Sequence, residues 1–225
     1  MAITWPDVLV PQRASAHVRS TAASGGRTGN GQRQLVFSDA GFWEVRLSGV
    51  IVANRAQVNA YRKLIAQLRQ GESVAVPTFD KWWPIGADAA TSDVTISGDV
   101  EIRQTEITLT SSGVAIEEGS RFSIINRLHE VIEITSGPGS PPLENPLAND
   151  QPWWDHQPWT DSVDASDSYT VKISPPLRSN YSNGQSVNFF NTRVNCVLEN
   201  MRDGDLDLAS GRVGYPSMTL IESFS

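Results

Sequence analysis

Apolar residues recur at helical spacing in one convincing place. Val58, Tyr61, Leu64, Ile65 and Leu68 fall along one face of a helix, and Asn54 followed by Gln57 has the form of a capping box. Gly71 suits the left-handed residue just past the last turn, so the spacing predicts a helix over Asn54 to Gln70. The pattern on both sides of it is β. Phe42 to Val52 reads as one long strand, and Ser73 to Thr78 alternates with Val74 and Val76 on one face. Elsewhere the apolar residues come in short runs broken by Gly, Pro, Asn, Asp and Ser, the pattern of many short strands and turns.

Arg33 to Thr78 thus reads as strand, strand, helix, strand. Further strands are predicted at Val94 to Ile96, Val100 to Leu109, Arg121 to Ile125, Leu128 to Ile134, Tyr169 to Ile173 and Val187 to Phe190, at a spacing that suits a small barrel or sandwich. Arg193 to Glu199 and Ser217 to Phe224 are terminal strands that can return to the first unit. The expected class is mainly β with one α-helix. The expected division is 1–86 for an N-terminal arm and helix-bearing unit, 87–192 for a second small β-barrel, and 193–225 for the returning strands.

Two stretches break the pattern. Residues 1–32 read as irregular, and Ala14 to Gln32 is so small, polar and glycine-rich that in a free monomer a mobile arm or long loop is expected, able to order on a partner. Ser136 to Asp167 holds too many prolines and glycines to continue a sheet and reads as an excursion loop.

At 225 residues, with 39% hydrophobic and 19% charged, the chain can bury a sizeable core. The net charge of −7 argues against a basic patch gripping nucleic-acid phosphates. Three of the 18 basic residues are lysines (Lys63, Lys81, Lys172), and the excess of Arg suits hydrogen-bonded and interfacial ion pairs, although genome composition explains it equally well. The single Cys196 allows no internal disulfide and no cysteine-based metal site, and its apolar neighbours predict a buried thiol. No run approaches a membrane span and the N-terminus lacks the form of a signal peptide, so synthesis and assembly in a cytoplasm are expected.

Candidate chemistry is sparse. His17, His129 and His156 sit in no ligand or catalytic motif, and His129 lies at strand periodicity in a structural place. His156 with Asp155 and Asp161 reads as a solvated acidic loop before a zinc site. Asp203, Asp205 and Asp207 alternate like part of a calcium loop but lack its spacing and its Glu. No G-x-S-x-G and no phosphate-binding loop is present. No enzyme, cofactor or metal is therefore expected. Trp153, Trp154 and Trp159 form the best candidate contact surface, since ring faces beside Asp and Gln suit a sugar or another protein. The favoured reading is nevertheless that the indoles fold back to anchor the loop. Trp82 and Trp83 read as packing at the junction between units.

The stretch FWEVRLSGVIVANRAQVNAYRKLIAQLRQGESVAVPTFD resembles the strand, helix, strand section of a phage tail belt domain. The phrases TEITLTSSGVAIEEGSRFSI, RLHEVIEIT, YTVKISPPLRSNYSNGQSVNF and RVNCVLEN are similar to a barrel module common in tail proteins. Together they span most of the chain, and the order of elements resembles the distal tail proteins of long-tailed bacteriophages; the 32-residue Pro/Trp excursion departs from that pattern. The resemblance implies a belt domain built as a β-sandwich or split barrel plus helix, a homo-hexameric ring, and a place in the virion at the distal end of the tail, after synthesis in the bacterial host cytoplasm. Its implied partners are the tail tube protein and tail-tip hub proteins, with DNA passing through the lumen without specific binding. A second expectation is a host-surface carbohydrate-binding tail-tip module using the tryptophan loop.

Overall fold

The computed structural model describes residues 2–27, 33–80, 84, 94–137, 167–208 and 213–224, with backbone alone at 20–27, 33–40 and 167. In chain order the elements are β1 (Ile3–Thr4), β2 (Pro11–Arg27), β3 (Arg33–Val50), α1 (Arg55–Arg69), β4 (Val74–Pro77), β5 (Val94–Ile96), β6 (Glu106–Ser111), β7 (Arg121–Ile124), β8 (Arg127–Ser136), β9 (Asp167–Ser174), β10 (Ser186–Val187), β11 (Arg193–Leu198) and β12 (Met218–Glu222). They make a mainly β protein with a single helix among the described residues and two six-stranded sheets, ordered β1-β4-β11-β12-β3-β2 and β10-β5-β6-β9-β8-β7.

The helix forms as its sequence dictates. The Asn54 side chain accepts from the Gln57 N–H at 2.9 Å, and Gln57 Oε1 accepts from the Asn54 N–H at 3.3 Å. At the other end Gly71 (φ +87°) donates to Leu68 O, and Glu72 donates to Gln67 O. These two bonds close the helix as a Schellman motif and satisfy its last carbonyls. Tyr61, Leu64, Ile65 and Leu68 are buried, and Val58 is partly buried against the same core. They meet Trp43, Val45 and Leu47 of β3, Val74 and Val76 of β4, and Val194 and Cys196 of β11. Each fully buried aliphatic side chain contributes roughly 1.5–3 kcal/mol.

The last two strands lie inside the first sheet. β11 runs antiparallel to β4 (Val194↔Val76) and β12 antiparallel to β3 (Leu220↔Val45), so the sheet closes only once the C-terminal residues are in place. The second sheet curls nearly into a barrel, its outer strands meeting at an isolated Ser123↔Asn188 bridge. Its core is separate and includes Val94, Ile107, Leu109, Phe122, Val171 and Phe189.

Several expectations need correction. The segment read as an irregular arm is largely strand: Pro11–Arg27 is β2, paired along its length with β3. Small polar residues argued against burial, but an edge strand needs only one apolar side, and Ala14, Ala16 and Val18 provide it. The two strands expected after Arg33 are one continuous β3. The strand expected from Val100 starts only at Glu106; Val100 makes an isolated bridge to Tyr181, and Arg103 adopts φ +71°. In β4, Val74, Ala75 and Val76 are all buried, so both faces are covered where one was expected.

Candidate functional site: an open sheet edge and an arginine joint

β2 has a neighbour on one side only, while the opposite edge of the same sheet is the two-residue β1. Two hydrogen bonds fix where the free backbone groups of β2 point. The Trp43 N–H leaves β3 on the β12 side and donates to Glu222 Oε2 at 3.1 Å. Because ladder bonds alternate along an antiparallel strand, Trp43, Val45 and Leu47 bond away from β2. Their partners across the strand pair, Val18, Ala16 and Ala14, therefore turn their own N–H and C=O groups outward. The Ala16 carbonyl confirms the direction by accepting from Arg121 Nη2 at 3.3 Å. The side chains of Ala14, Ala16 and Val18 pack on the core, and those of Ser15, His17 and Arg19 are exposed. A long strand edge with outward backbone groups is a template for pairing with another chain.

The outer face beside this edge carries a charge cluster. Glu44 is 2% exposed and is held by Arg46 Nε at 2.5 Å, Arg19 Nη1 at 3.5 Å and His17 Nε2 at 3.7 Å, with Arg19 also reaching Glu199 at 3.0 Å. A buried carboxylate survives only with such compensation. Along an edge, charged side chains also bias which strand can dock.

The two sheets are tied by three arginines of the second unit that donate to main-chain carbonyls of the first. Arg121 reaches Ala16 O, Arg127 reaches Ser223 O and Arg178 reaches Gly41 O. Arg127 also pairs with the buried Glu222 at 3.5 Å, Arg121 lies 5.3 Å over the Trp43 ring, and Arg178 lies 5.3 Å over Phe224. The fully buried Trp43 crosses the same joint, its indole N–H donating to Leu128 O at 2.6 Å. Asn195 N donates to Asn126 O at 2.8 Å, adding a backbone tie. Planar, multiply donating guanidinium groups suit such a joint better than lysine ammonium groups. Burial raises the Glu222 carboxyl above the usual glutamate range, against the lowering pull of the Trp43 N–H, Arg127 and Arg178.

The helix stripe is committed to packing. The Tyr61 hydroxyl donates to Gly204 O at 2.8 Å, and burial pushes its pKa up. Nearby, Arg69 pairs with Asp205 at 2.5 Å, so one of the alternating aspartates anchors a turn. His129 is 1% exposed, stacks on Phe122 and places Nδ1 2.9 Å from Pro175 O; burial lowers its pKa to about 4. Cys196 is buried, which drives its thiol pKa up. Among the described residues no three His, Cys, Asp or Glu side chains stand together as a metal-holding group, and no helix is long and apolar enough to cross a membrane. Trp153, Trp154, Trp159, His156, Trp82 and Trp83 lie outside the described residues. The strands flanking the excursion nevertheless pair directly, Ser136 with Thr170.

The arginine joint went unrecognised at the level of residues. Its one signal was the preference for Arg over Lys, which names no position. No protein-family model matches this chain, and no curated protein matches it either.

Proposed function

We propose that this chain is a non-enzymatic structural protein of a long-tailed bacteriophage that forms a ring joining the tail tube to the tail tip. The observation that carries the reading is the edge strand β2, 17 residues long, whose outward N–H and C=O groups at Ala14 and Val18, and N–H at Ala16, have no strand beside them among the described residues, the Ala16 carbonyl being taken by Arg121. Pairing of β2 with the opposite edge of the next copy is a heterologous, head-to-tail contact, which makes a ring where the rotation between copies closes and an open filament where it does not. The tail-type belt domain, the six-fold stoichiometry and the tube and hub partners rest on the resemblance in element order. Six copies at −7 each carry a formal charge of about −42, and a lumen lined with part of it would repel DNA phosphates during passage.

The test is imaging by negative stain, with mass measured in solution, of the protein alone and co-expressed with the proteins encoded beside it. A ring with a central hole is expected. Ala14→Pro removes one outward N–H without touching the β3 ladder. It should leave the monomer folded and prevent ring closure. Absence of rings under both conditions, or rings indifferent to Ala14→Pro and Val18→Pro, would overturn the proposal.

A further inference from the structure

Two polar clefts, of about 470 Å³ and 430 Å³, flank the turn between β7 and β8 and share Ile125, Asn126 and Gln185 as their common wall. Ile125 and Asn126 both have positive φ (+46° and +60°), the geometry of a tight hairpin, which pushes the Ile125 side chain out to 66% exposure as a ridge between the clefts. Neither cleft is lined by an Asp or Glu, although the chain as a whole carries −7. The guanidinium of Arg127 is already committed to Glu222 and Ser223 O.

The larger cleft holds two unsatisfied groups. Tyr181 is 6% exposed; burial raises its pKa, and Arg127 and then the nearby Ser179 hydroxyl pull it back only in part, the Ser179 contact falling short of hydrogen-bond geometry, so the phenol has no hydrogen-bond partner. Asn195 Oδ1 is likewise buried without a partner. Other lining amides present donors. Asn180 Oδ1 accepts from the Ile102 N–H, which leaves its side-chain NH2 group for a ligand; Asn188, whose Oδ1 accepts from the Phe190 and Asn191 N–H groups, lines the smaller cleft. A buried phenol, a buried amide acceptor and amide donors, with no acidic group, match a ligand whose neighbouring hydroxyls both donate and accept. Such a ligand would supply partners to groups that are costly to leave unpaired.

We propose that this cleft binds a neutral saccharide ring, with the Tyr181 hydroxyl and Asn195 Oδ1 bonding its hydroxyls and Ile125 covering its apolar edge. The residues that form the site are separate in sequence from the tryptophan-rich stretch. Saturation-transfer NMR with the methyl glycosides of glucose, galactose, mannose and N-acetylglucosamine tests it on the full chain. At least one glycoside should bind with a dissociation constant of about 1 mM, the weak end of specific recognition. Tyr181→Phe, which keeps the ring packing and deletes an orphaned hydroxyl, should weaken binding about fivefold or more while leaving the melting temperature unchanged or higher. Gln185→Ala at the shared wall should also weaken it, and joint replacement of Trp153, Trp154 and Trp159 by Ala should not. No transfer to any of the four glycosides, undiminished binding in Tyr181→Phe, or loss of binding only in the tryptophan variant would overturn the proposal.

Discussion

Replacing Arg127 by Met should damage the protein far more than neutralising the carboxylate that Arg127 serves. The Glu222 side chain is 1% exposed and that of Arg127 is 13% exposed, and the two stand 3.5 Å apart at the joint between the sheets. Arg127→Met strands a buried carboxylate, which costs about 3–5 kcal/mol. Glu222→Gln keeps an oxygen for the Trp43 N–H and leaves Arg127 its Ser223 carbonyl and the polar cleft, so about 1 kcal/mol is expected. For a chain of this size the first change corresponds to a fall in melting temperature of about 10 °C. The pH dependence follows from the raised Glu222 pKa. A folded state that holds the proton more tightly than the unfolded one is favoured at low pH, and its advantage is lost as pH rises from the ordinary 4.5 through the raised folded value. Arg127 is one of the groups pulling that value down, so its removal moves the window upward and the cost of Arg127→Met should grow from pH 5 to pH 8. Arg127 also holds the His129 pKa down, and its loss adds a contribution of the same sign at low pH. The double variant Arg127→Met/Glu222→Gln retains the histidine contribution and removes the other, which separates them. Urea unfolding followed by tryptophan fluorescence measures all four proteins at both pH values. A cost for Arg127→Met at pH 8 no greater than that of Glu222→Gln, or one equally large at pH 5, would refute the reasoning.

Asn54→Ala breaks both halves of the capping box and should lower stability by about 1 kcal/mol in denaturant titration, whereas Asn54→Asp should retain most of it. Gly204→Ala should cost about 1–3 kcal/mol, because φ is +78° and a Cβ would sit 2.7 Å from Ile65 Cδ1 and 3.1 Å from the Tyr61 hydroxyl; Gly98→Ala, with similar φ and open space, should cost less. His129, lowered to about 4 by burial, contributes stability that is complete above 6.5 and lost as pH falls toward 4, so His129→Phe should flatten the acid limb of the stability curve. Replacing residues 138–166 with a short Asn-Gly turn should leave the thermal transition of the remaining protein nearly unchanged, because β8 and β9 already pair from Ser136↔Thr170 onward.

What could be read in the sequence, and what could not, follows the range of the interactions. The helix was legible down to its cap because Asn54, Gln57 and Gly71 act on backbone groups within four residues, and its stripe needs only a local period. β11 was legible for a related reason, its alternation of buried Val194, Cys196 and Leu198 being a period of two. β2 was not, since Ala14, Ala16 and Val18 are too small and too diluted by glycine and serine to signal a strand. Their burial depends on β3 standing beside them. Non-local pairing overrode a composition that by itself argues for disorder.

The arginines mark the deeper limit. Arg121, Arg127 and Arg178 are spread over 58 positions of sequence, and each finds its carbonyl on a strand or terminus more than 90 residues away. No spacing rule connects such residues, because the joint exists only after two separate cores have formed and met. The chain must cross that joint twice, leaving the first sheet after β4 and returning at β11. A chain threaded this way ties its barrel to its open edge through Trp43, Glu222 and the three guanidinium groups, so in the proposed ring any strain that a neighbouring copy applied at β2 would reach them. On the proposed ring reading, weakening the joint should impair pairing between copies before it unfolds either core.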